Sequence, residues 1–219
     1  MWSSEVTNMI ITGIWETLYM TLVSTLVGYV IGLPMGIILT VSDKDGIKPN
    51  AVLYKILDVI ANIVRSVPFI ILLVLLIPFT RLVAGKSYGS TATIVPLVIA
   101  AAPYIARMVE SSLKEVDAGV IEAARSMGAS NFTIITKVML VEARTSLLVG
   151  ATITLGTILG YSAMSGAVGG GGLGAIAIRY GYTRWQTDIM IVTVILLIIL
   201  FQIFQTVGMK LADKFDHRK

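Results

Sequence analysis

Ionisable side chains are sparse in this chain: 14% of its 219 residues are Asp, Glu, Lys or Arg. The few beside apolar runs therefore carry weight. Asp58, Asn62 and Arg65 recur at i, i+4 and i+7, on one helical face, just before VPFIILLVLLIPF. Two roles fit such a face. One is a local Asp58–Arg65 attraction at the start of an interfacial helix. The other is the lining of the inner mouth of a polar pathway, because charge set against lipid is costly. A second set lies in IEAARSMGAS (121–130), where Glu122 and Arg125 stand at i, i+3 and can pair for about 0.2–0.5 kcal/mol. Covalent chemistry has no apparatus. The chain has no cysteine, and its one histidine, His217, sits in a basic tail, so no imidazole or thiolate metal site is expected. No nucleophile–base set is present. Gly169–Gly172 are not followed by Lys-Ser/Thr, so they are no phosphate loop.

The elements that must position these residues are apolar. The chain is 56% hydrophobic, with mean hydropathy +0.86. A soluble domain carries roughly a quarter charged residues, so this composition belongs to the membrane class. Five stretches approach the ~20 residues a helix needs to cross. They lie at about 14–40, 67–84, 92–107, 147–168 and 189–209. The second can borrow from 56–66. The reading is an all-α membrane protein with five transmembrane helices in one domain, 1–219. Met1-Trp2-Ser3-Ser4-Glu5 lacks the basic start of a cleavable signal.

Lys and Arg set the orientation. With the N-terminus outside, the inner segments hold Lys44, Lys48, Lys55, Arg107, Lys114, Arg125, Lys137, Arg144 and the basic C-terminus with Lys210, Lys214, Arg218 and Lys219. The outer segments hold only Arg81, Lys86, Arg179 and Arg184. The C-terminus is therefore expected in the cytoplasm. Gly28, Gly32 and Gly36, and Gly156 and Gly160, repeat every four residues and predict close helix packing. The glycine-rich stretch after Gly160 predicts a re-entrant or outer loop closing the fourth span. Such a loop is allowed at membrane depth only if packed in protein or facing water. Met164 and Ser165 just before it are gate or pathway candidates, with plain packing as the alternative.

The loop from about 107 to 146 is expected in the cytoplasm. Its five acidic and five basic residues balance, which argues against nucleic acid as a partner. Asp117 can cap a helix running to Met127, Gly128 suits the position after it, and Ser130 can cap a second helix. Val120, Ile121, Ala124 and Met127 offer an apolar stripe. So short a helix must dock to be stable.

Glu122-Ala123-Ala124, Gly128 six residues after the glutamate, and Val138-x-Leu140 resemble the EAA loop of ABC-importer permeases. Val141 stands where that family usually has proline. RSVPFIILLVLLIPFTR, AAPYIARMVE and GYSAMSGAVGGGGLG are similar to the methionine-importer permeases, so the likeness extends over nearly the whole chain. The resemblance implies the type I importer permease fold in a bacterial cytoplasmic membrane. It implies a homodimer, two cytoplasmic ATPase subunits that bind the ATP, and an extracytoplasmic methionine-binding lipoprotein. It further implies that Ile121, Glu122, Ala123, Ala124, Gly128 and Ala129 couple to the ATPase. The function expected is import of D- and L-methionine by alternating access, with no enzyme activity or cofactor of the chain's own. The rivals are a permease for another small amino acid and an ATPase-independent secondary transporter, which would need ionisable groups in its span cores.

Overall fold

The computed structural model describes residues 4–215. Arg218 and Lys219, which the charge count uses, and His217 lie outside that range. Every regular element among the described residues is helical. Helix α1 (Ser4–Ser42) is 39 residues long and starts ten residues before the expected span. At 1.5 Å per residue it reaches roughly 58 Å, well beyond a hydrocarbon layer of ~30 Å. Helix α5 (Ser90–Lys114) continues through Pro96 and Pro103 and extends past its expected end. Helices α8 (Arg144–Ser165) and α10 (Thr187–Lys214) are the fourth and fifth spans.

The second span is built from pieces. Helix α2 (Ala51–Ser66) makes an angle of 101° with α3 (Phe69–Leu75), so residues 56–66 join that span only across a sharp bend. The elbow has a local cause. Pro68 forces Val67 into extended backbone (φ −81°, ψ 126°) and ends α2. Helix α4 (Ile77–Ala84) follows α3 after one non-helical residue, Leu76. Pro78 has no N–H to offer the Val74 carbonyl, and the helix is interrupted at Leu76.

Glycine fixes the register of the bundle. A Cβ on Gly32 would lie 2.6 Å from the Ala102 carbonyl, and one on Gly36 would lie 2.6 Å from the Ala106 carbonyl. Gly28 meets side chains instead, the Ala101 Cβ at 2.9 Å and Ile105 at 3.0 Å. The matched numbers rise together, so α1 and α5 run parallel and the chain must return between them. Helices α2, α3 and α4 make that return together: α2 runs antiparallel to α5, with Tyr54 at Glu110 and Asp58 at Arg107, and Phe69 beyond it reaches Tyr161 of α8. Contacts of Ser112 with Ser146, Met108 with Gly150 and Tyr104 with Thr157 make α8 antiparallel to α5. Gly156 against Phe201 and Thr152 against Gly208 make α10 antiparallel to α8.

The bundle thus has two ends. One, the basic end, gathers 43–50, 115–143 and Phe215. The other, the glycine end, gathers Ser4, 85–89 and 166–186. The described termini lie at opposite ends, as five crossings require.

Candidate functional site

At the basic end α5 runs into α6 (Ala118–Ser126). Asp117 caps it, accepting from the Gly119 N–H at 2.7 Å. A carboxylate also suits the positive end of a helix dipole. The far end closes as a Schellman motif: Ala129 N–H donates to the Ala124 carbonyl at 3.1 Å and Gly128 N–H to Arg125 at 2.9 Å. Gly128 has φ +81°, with nothing within 4 Å of a Cβ placed on it. Glycine is there for its backbone freedom, not for lack of room. The next helix, α7 (131–142), starts at Ser130, whose Oγ accepts from Thr133 N–H. Its middle, Ile134–Met139, is π-wound. With Val141 in place of proline, the helix runs to Glu142 and turns only at Ala143, whose carbonyl accepts from Leu147 in α8.

The expected apolar stripe splits. Ala124 is buried and Ile121 half-buried against the chain's own core. Ala129 is half-buried, while Glu122, Ala123 and Gly128 are exposed. Arg125 makes no ion pair with Glu122; it donates to the Ile47 carbonyl at 3.0 Å. The most exposed apolar groups of the segment are Met127, at 81%, and Phe132, at 75%. Phe132 went unnoticed in the sequence because one aromatic in a polar context has no period. A groove of about 570 Å³ separates α6 from the 43–47 turn, with Ile121, Glu122 and Lys44 on its walls.

Beneath α6 lies an ionic cluster. Asp58 does not pair with Arg65, which is exposed; its cation partner is Arg107 of α5. Arg107 also contacts Asn62 Oδ1 at 3.0 Å and Glu110 at 2.6 Å. Glu110, buried, holds Lys114 at 2.8 Å and accepts from the Tyr54 hydroxyl at 3.3 Å. Lys114 reaches Asp43 at 2.6 Å, and its hydrogen bond holds the Asp43 carboxyl below the usual carboxylate range. The signal for this cluster was present in the sequence: Arg107, Glu110 and Lys114 alternate in sign at i, i+3 and i+7.

At the glycine end the chain reverses after α8. Gly169, Gly171 and Gly172 have positive φ. The two legs touch backbone to backbone, since a Cβ on Gly174 would lie 2.1 Å from the Ala163 carbonyl. The returning leg, α9 (172–182), packs on α1, and Gly172 sits level with Thr17 and Met20, some thirteen residues into α1. Non-helical backbone at that depth needs partners. Glu16 Oε2 accepts from Gly172 N–H at 2.7 Å and Thr17 Oγ1 from Leu173 N–H at 2.9 Å. Glu16, passed over in the sequence, is thus a carboxylate inside the first expected span, used for backbone satisfaction. Of the two gate candidates, Ser165 is buried and bonded to the Ser162 carbonyl at 2.6 Å, whereas Met164 is 52% exposed.

Comparison with known proteins places this architecture. The chain is 48% identical over 217 residues, 99% of its length and 96% of the relative's, to a Vibrio cholerae protein named as a probable D-methionine transport system permease protein, MetI. It is 51% identical over 158 residues, 72% of its length and 73% of the relative's, to the D-methionine transport system permease protein MetI of Escherichia coli K12. A solved structure of inward-facing conformations of the MetNI methionine ABC transporter superposes with TM-score 0.97 at 49% identity, covering 99% of this chain and all of that one. An amino acid ABC transporter crystallised with histidines shares the fold, with TM-score 0.73 at 22% identity over 98% of this chain and 96% of that one. The pattern of the binding-protein-dependent transport system inner membrane component matches residues 32–218, and the chain belongs to that family.

Proposed function

We propose that this chain is the membrane-spanning subunit of an ATP-driven importer for methionine, seated as a homodimer on two separate ATPase subunits. The observation that carries the reading is the unengaged apolar surface of the α6–α7 segment. Met127, at the end of α6, and Phe132, at the start of α7, stand bare at the basic end, on helices too short to persist alone. Exposed apolar anchors of this kind are where interface energy concentrates. Their seat is a groove on the ATPase, with Glu122, Ala123, Gly128 and Ala129 around it. Ile121 and Ala124 act from behind, fixing α6 to the permease core.

The positive-inside bias puts the basic end in the cytoplasm and the glycine end outside, where a methionine-binding protein would deliver substrate. Closure of the ATPases on ATP draws the two α6 helices together and shifts the bundle between inward- and outward-facing states. Met164 is the better gate candidate, being the one with a free side chain.

The test is reconstitution. The complex should import labelled methionine only with ATP, and unlabelled D- and L-methionine should compete better than other amino acids. Uptake by the lone chain in liposomes refutes the ATPase-driven reading. Stronger competition by a different amino acid refutes the substrate. Phe132→Ala with Met127→Ala should weaken ATPase binding at least tenfold, about 1.4 kcal/mol. Wild-type retention of the ATPase by that double variant would refute the docking surface.

A further inference from the structure

The ionic cluster has a mechanical position that docking alone does not use. It joins three elements at one point: the turn after α1 through Asp43, α2 through Asp58, Asn62 and Tyr54, and the end of α5 through Arg107, Glu110 and Lys114. Lys114 is four residues before the first residue of α6. Whatever moves α6 therefore moves the Arg107 clamp. Helix α2, held by that clamp, is separated from α3 by the 101° elbow at Val67–Pro68. Beyond the elbow, Phe69 stacks on Tyr161 of α8, with ring centroids 4.2 Å apart and planes 8° apart.

We infer that α2 is a lever: Arg107 fixes it to the coupling segment, and the Val67–Pro68 elbow converts its movement into displacement of α3 against α8. Arg107 is a positioning residue in this scheme and touches no substrate. Three features favour a clamp over incidental surface pairing. The Arg107 and Glu110 side chains are largely withdrawn from solvent, at 17% and 7% exposure. The guanidinium is shared between α2 and α5, so it is an inter-helix tie and not only an i,i+3 pair. The opposite face of α2, with Val52, Ile56, Val59 and Ile63, is exposed, so within the described chain α2 is held on one side only, by the ionic groups together with buried Ala61 and half-buried Val64.

The inference rests on α6 being the ATPase contact, and its test separates the two. In the reconstituted complex, Arg107→Gln and Asp58→Asn should raise the ATP hydrolysed per methionine imported at least fivefold while the ATPase still co-purifies. The swap Asp58→Arg with Arg107→Asp should recover at least a third of the lost coupling. Unchanged coupling in Arg107→Gln overturns the lever and leaves the docking reading standing. Joint loss of assembly and uptake, with no recovery in the swap, also overturns it, because that is a purely structural role. A second readout uses the absence of cysteine from the chain. Asp58→Cys with Arg107→Cys, bridged by a short bismaleimide, should import at least half as fast as the unbridged double variant, since α2 and α5 are held to move together. Abolished import on bridging means they must separate, and overturns the lever. If Phe132→Ala with Met127→Ala keeps normal ATPase binding, the docking reading fails instead.

Discussion

At the scale of single residues, Gly128 and Asp43 make the sharpest claims. Gly128 has open space around it and a positive φ. Gly128→Ala therefore costs about 1–2 kcal/mol through the left-handed backbone alone. Amides in 118–128 should exchange with solvent roughly five- to thirtyfold faster, which hydrogen-exchange mass spectrometry of the complex-free permease can read. For Asp43 the sign is fixed by Lys114, which lowers its folded-state pKa. The contribution of the pair is present above the ordinary carboxylate value near 4 and is lost as pH falls through the lowered one. The stability difference between wild type and Asp43→Asn should stay constant from pH 8 to 5 and shrink towards pH 3 in thermal melts. The sequence made the caps of α6 legible because capping is local chemistry. It gave Asp58 the wrong partner because Arg107 is 49 positions away, a distance no helical period spans.

At the scale of elements, the spans were readable from hydropathy and their ends were not. Helix α5 overshoots its apolar core because the ionic cluster of Arg107, Glu110 and Lys114 gives its last turns polar partners. Residues 56–66 do belong with the second crossing, but hydropathy could not show that the crossing is broken, because the 101° bend comes from one proline, Pro68. The glycine-rich stretch allows two readings, and contact geometry shows a reversal with an exposed apex at 167–169 whose returning side packs on α1 at Gly172 and Leu173. Gly174→Val would drive a side chain into the Ala163 carbonyl and should cost several kcal/mol, seen as a fall in the melting temperature in detergent. Gly160→Ala, where nothing lies within 4 Å, should leave that temperature unchanged within about a degree.

At the scale of the whole molecule, two clustered ends and alternating helix directions describe a five-crossing bundle. Its placement in the membrane is testable by labelling. With no native cysteine, Lys44→Cys should react with an impermeant maleimide only from the cytoplasmic side, and Lys86→Cys only from outside. The reverse pattern would invert the transport direction argued above. The glycine notches between α1 and α5 bear on how such a bundle changes shape. The close approach at Gly28, Gly32 and Gly36, backbone on backbone at the last two, works as a toothed rack. The next mesh lies four residues along, roughly 6 Å away. A fractional slip would drive Cβ atoms into carbonyls, so this pair has no small motions to give. It is the stator of the machine, and the strokes of transport fall to the helices that were not cut to fit it.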